Sequence, residues 1–112
     1  MEPIRLRGTA DVLAALPYQL GYHPQDCLVV MALHERRVGL VERIDLPDPD
    51  HLAGTASSAV EPLRREAPDS VLLVGYESCA DAAVPLLDEV GRRLREAGID
   101  IADRLVVRGG RW

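Results

Sequence analysis

Cys27-Leu28-Val29-Val30-Met31-Ala32-Leu33 is the stretch on which the fold turns. It is apolar without a break and follows the turn-forming residues Gly21-Tyr22-His23-Pro24-Gln25-Asp26. That pattern suits a strand covered on both faces. His34-Glu35-Arg36-Arg37 then reads as a short connection to a second strand, Val38–Leu46, with partial alternation. Val38, Leu40 and Ile44 fall on one face, and Val41, Arg43 and Asp45 on the other. The two segments predict a β-hairpin whose second strand is the less buried.

Further along, Asp48-Pro49-Asp50 marks a helix start, with a capping acid and proline at the first position. Leu52, Ala56, Ala59, Val60 and Leu63 trace one helical face to about Ala67, and Pro62 interrupts it at a place where a kink or break is expected. Val71-Leu72-Leu73-Val74-Gly75-Tyr76 predicts a central strand. Asp81 opens a second helix, with Val84, Leu87, Val90 and Leu94 as its buried stripe and Gly98 just past its end. Ile101–Arg108 is the last strand. Before the hairpin, Ile4–Arg7 can form a short strand, and Thr9 precedes Val12, Leu13, Leu16 and Leu20 at helical spacing, a helix that Pro17 makes short or kinked.

Strands alternating with helices of this length imply βαβ crossovers, which are right-handed as a rule. The expected fold is therefore α/β: a mixed four- to five-stranded sheet with an N-terminal β-hairpin, two right-handed crossovers and helices covering the sheet. Each helix returns the chain across the sheet. Val38–Leu46, Val71–Tyr76 and Ile101–Arg108 then point one way, and Cys27–Leu33 the other.

This direction gathers distant residues at one edge. Asp45, Tyr76-Glu77-Ser78-Cys79 and Arg108 stand at the carboxyl ends of the parallel strands, and His23, Asp26 and Cys27 arrive at the start of the antiparallel one. Ligands in open α/β sheets bind outside the carboxyl ends of the strands. His23, Asp26, Cys27, Asp45, Tyr76, Glu77, Ser78 and Arg108 are accordingly the ligand-binding candidates.

The chemistry at that edge is sparse. Cys27 and His23 could form a thiolate–imidazole pair, but Cys27 leads straight into an apolar strand, and a small buried residue is the better reading. The loop Gly75-Tyr76-Glu77-Ser78-Cys79-Ala80-Asp81 matches no phosphate-binding glycine pattern, and its acids would repel a phosphate. His23, Asp26, Asp45 and Glu77 have no metal-ligand spacing, so no metal is assigned and no cofactor is named.

Composition narrows the classes. The chain has 112 residues, enough for one domain, with 47% hydrophobic and 28% charged residues and a formal charge of −5. All 13 positive residues are Arg, phenylalanine is absent, and aromatics make up 4%. The acidic balance and the lack of interleaved aromatics argue against nucleic acid. No apolar run is long enough to span a bilayer, and no apolar region follows the charged first residues as in a signal peptide. Two cysteines, Cys27 and Cys79, make no disulfide framework. The expected setting is reducing and cytoplasmic, with no membrane partner.

Leu16-Pro17-Tyr18-Gln19-Leu20-Gly21-Tyr22-His23-Pro24-Gln25-Asp26-Cys27-Leu28-Val29-Val30 has a further significance. With Arg7-Gly8-Thr9-Ala10-Asp11, Arg37-Val38-Gly39-Leu40, Val71–Tyr76 and Leu105–Trp112, it resembles the N-terminal region of the actinobacterial domain-of-unknown-function family numbered 4192. The resemblance runs over essentially the whole chain, and Leu-Gly-Tyr-His-Pro is its most specific part. It implies a longer architecture, in keeping with the hairpin signal Gly109-Gly110 so close to Trp112. The family pattern usually has Ser where Cys27 stands, a further argument against a Cys27 nucleophile. The resemblance carries no activity.

The sequence thus points to a non-catalytic α/β module that binds a ligand or a partner, with self-association into a homo-oligomer through an open sheet edge as one form of it. The alternative is an enzyme of the hydrolase or transferase class that uses the polar residues of the carboxyl edge. Neither the small-molecule ligand nor a reaction follows from the residues.

Overall fold

A computed structural model describes residues 25–35 and 37–108. The strand expected at Ile4–Arg7, the helical pattern after Thr9, His23 and the Gly109-Gly110 turn lie outside the described residues. Within them the order is β1 (Cys27–His34), β2 (Arg37–Asp45), a single 3-10 turn (Pro49–His51), α1 (Leu52–Glu66), β3 (Ser70–Tyr76), α2 (Val84–Glu96) and β4 (Asp100–Val107). The strands form one mixed sheet in the order β2-β1-β3-β4. β1 runs antiparallel to both of its neighbours, and β3 and β4 are parallel. The directions expected from helix length are therefore those observed, with β1 and β3 as the inner strands.

Alternation assigns the two faces of the sheet. Leu28, Val30 and Ala32 of β1 and Val71 and Leu73 of β3 pack with the apolar stripes of both helices. Cys27, Val29 and Met31 stand on the opposite face with Val74. These inner-strand side chains are buried on both faces, which is why the run from Cys27 shows no polar alternation.

β2 departs from the expected alternation. Val38 lies with Val41 on the Cys27 face, whereas Leu40 and Ile44 face the helices. The cause is a β-bulge. Met31 pairs with Val41 and Leu33 with Val38, so Gly39 and Leu40 together oppose Ala32. One extra residue reverses which face each side chain meets, and placing Val38 with Leu40 and Ile44 is thereby corrected.

The break expected at Pro62 does not occur either, for α1 is helical from Leu52 through Glu66. Proline has no N–H for the Ser58 carbonyl and costs roughly 3 kcal/mol inside a helix. Val60 and Leu63, both buried, each contribute about 1.5–3 kcal/mol by leaving water. Ala56 and Ala59 complete that stripe, so packing outweighs the local penalty. α1 begins after the 3-10 turn, where Asp48 occupies the capping position and Pro49 the first helical one.

α2 starts at Val84, three residues after the expected Asp81. Asp81 itself has left-handed backbone (φ 65°) and belongs to the preceding turn. The C-terminus matches its sequence signal. Gly98 takes φ 78°, Ile99 N–H donates to the Leu94 carbonyl at 2.9 Å, and Gly98 N–H donates to the Arg95 carbonyl at 3.0 Å. These are the paired bonds of a Schellman ending.

Candidate functional site

Strand direction brings the sequence candidates to one rim. Cys27 is paired with Asp45 on one side and Tyr76 on the other, and Tyr76 is paired with Val107, the residue before Arg108. Asp26, Glu77 and Ser78 flank those positions. His23 lies outside the described residues.

The polar groups of the rim chiefly hold one another. Asp26 sits in the left-handed region (φ 46°), and its two carboxylate oxygens accept from the backbone N–H and the hydroxyl of Ser78, each at 2.8 Å. Asp45 accepts from the Arg43 guanidinium at 2.5 Å. Glu77 is only 7% exposed, and its carboxylate accepts from Asp81 N–H at 3.1 Å and Ala83 N–H at 2.9 Å. It thereby satisfies donors in the turn leading into α2, as a helix cap would.

The acid–base state of the rim disfavours a nucleophile. The Cys27 side chain is fully buried, and burial pushes its thiol above the usual range. The Arg43 charge pulls the other way, while Asp45 and Asp26 add to the rise. A thiolate is the reactive form, so this environment opposes activation. Burial also pushes the Tyr76 phenol up, to about 12, with Cys27 adding to the effect. Cys79 and Arg108 are exposed.

A second arrangement lies on the helix side of the same end of the sheet. A cleft of about 550 Å³ runs between the outer part of β2 and the beginning of α1. Its sheet side is made by Glu42 and Ile44, and its helix side by His51, Thr55, Ser58 and Ala59, with Asp50 at the turn. Its volume falls in the range of small-ligand sites.

Glu42 is the unusual member. It shares a face of β2 with Leu40 and Ile44, both of which pack on the helical core. Its Oε2 atom is buried and has no hydrogen-bond partner. Burial raises the Glu42 pKa above the ordinary carboxylate value, with no cation among the described residues offsetting it. Buried carboxylates normally have a partner. Among the described residues no hydrogen bond or ion pair engages the side chains of Asp50, His51, Thr55 or Ser58.

The sequence reading did not single out Glu42. Its signal is an acid between Leu40 and Ile44 at a spacing of two, but the spacing alone does not show that a helix covers that face. Among the described residues, no three His, Cys, Asp or Glu side chains are grouped to hold a metal ion. No helix of the described residues is long and apolar enough to cross a membrane.

In comparisons with known proteins, residues 10–112 match the family model described as Domain of unknown function (DUF4192). No curated protein matches the chain.

Proposed function

We propose, for a chain that belongs to the DUF4192 family of domains of unknown function, a non-catalytic role: it is a binding module that takes a small molecule in the cleft between β2 and α1. The observation that carries this reading is that Glu42, one of whose carboxylate oxygens is buried without a partner, forms part of the cleft lining. Leaving a buried charged group without a partner costs upwards of about 1–3 kcal/mol. A ligand that gives the Glu42 carboxylate a donor recovers part of that energy on binding.

What supports binding over catalysis is the condition of the rim. Asp26 and Glu77 are occupied in holding loops, and the Cys27 thiol is buried and raised. The reading as a hydrolase or transferase therefore has no activated nucleophile among the described residues to build on.

The test is a thermal-shift screen of small metabolites on the wild-type chain and on Glu42→Gln. A ligand held at 100 times its Kd stabilises a protein by about 2.7 kcal/mol. The reading expects compounds that raise the wild-type melting temperature and have little effect on the variant. Compounds that stabilise both proteins equally would place the site elsewhere.

A further inference from the structure

The cleft has a chemical bias that narrows its ligand, and this step rests on the binding reading above. Its polar lining offers acceptors in excess. The Glu42 carboxylate has only acceptor capacity when ionised, and Asp50 stands at the same cleft. Among the described residues no arginine lines it. The apolar contacts are small: Ile44 and Ala59 form part of the lining, and a methyl group added at Gly54 would meet nothing within 4 Å.

An anion is disfavoured by the two carboxylates. A divalent metal requires several convergent hard ligands, and no three candidate side chains are grouped for one among the described residues. A nitrogen cation needs fewer fixed partners. Its N–H groups can donate to the Glu42 and Asp50 carboxylates, while a short carbon stem lies on Ile44 and Ala59. We infer that the cleft binds a small organic cation, a primary ammonium or guanidinium group on a short apolar stem, with Glu42 as its counter-ion.

The experiment is an amide NMR titration of the 112-residue chain at pH 7.5 with four probes: butylamine, agmatine, butyrate and butanol. Butylamine and agmatine are expected to shift the amides of residues 42–44 and 50–59, while butyrate and butanol leave them in place. Glu42→Gln should weaken both cations at least tenfold, and Asp50→Asn should weaken them less. The second variant changes an exposed residue, so it tests charge without disturbing the interior. Equal binding of butyrate or butanol, or cation binding unchanged in Glu42→Gln, overturns the cation assignment and leaves the cleft a site for other chemistry. If neither these probes nor any stabilising compound from the metabolite screen shifts those amides, the binding reading itself falls.

Discussion

Ser78 is held to Asp26 by two hydrogen bonds of 2.8 Å, one from its backbone N–H and one from its hydroxyl, across 52 positions of sequence. The pair joins the entry to β1 with the exit from β3, the two central strands. Because Asp26 has φ 46°, its substitutions must respect a left-handed backbone, which asparagine tolerates better than most residues. Asp26→Asn is therefore expected to lose acceptor strength without backbone strain, costing about 1 kcal/mol in a urea titration. Ser78→Ala removes only the hydroxyl bond and should cost about half as much. The double variant should cost less than the sum of the two, since the substitutions share one interaction.

Gly75 in β3 packs against α2. A methyl group added there would lie 2.8 Å from the Ala83 Cβ and 2.9 Å from the Leu87 Cδ1. Both neighbours are buried. Gly75→Ala is expected to destabilise the domain by about 1–3 kcal/mol through overpacking. A thermal midpoint equal to that of the wild type would show that α2 can shift away from the sheet.

The two thiols should behave differently. Cys79 is exposed and Cys27 fully buried. In native protein, Ellman's reagent is expected to modify Cys79 quickly and to reach Cys27 only after denaturation. In Cys79→Ser, no fast thiol should remain. Rapid titration of two thiols in the folded wild type would contradict the burial of Cys27.

Glu42 has a stability consequence with a definite sign. Its folded-state pKa is raised by burial from its ordinary value of 4.5. The folded state then holds the proton more tightly than the unfolded one. Stability from this group is fully present below the ordinary value and is lost as pH rises through the raised one. Glu42→Gln removes the titration, so it should be more stable than wild type at pH 8, by about 1 kcal/mol. The advantage should shrink towards zero near pH 4. Melting curves of both proteins between pH 4 and pH 8 would measure it, and a constant difference would mean that Glu42 does not titrate as described.

The fold was largely legible because its decisive signals are local. Cys27–Leu33 and Val71–Tyr76 are apolar without alternation, as inner strands require, and the two helical segments are long enough to return the chain across the sheet. Chain direction then brought Asp26, Asp45 and Ser78 to one end, as their strand pairings require. The less legible features depend on long-range geometry. The bulge follows from the pairing with β1, and simple alternation puts Val38 on the wrong face for that reason. The α2 entrance was credited to Asp81, the nearest acid, whereas Glu77 supplies the carboxylate from the end of β3. Glu42, an acid on an outer strand, reads as ordinary surface until the helix above it is in place.

Gly39 lies close beneath the hairpin tip, where a methyl group added to it would come within 2.9 Å of both the Glu66 carboxylate and the His34 ring. Those two side chains are themselves joined at 3.0 Å. The surplus position acts as a shim. Deleting Gly39 would let Leu40 alone oppose Ala32, while Leu33 still meets Val38 and Met31 still meets Val41. The hairpin can therefore shorten by one residue without turning Glu42 inside out, a tolerance to deletion that a regular two-stranded ladder lacks.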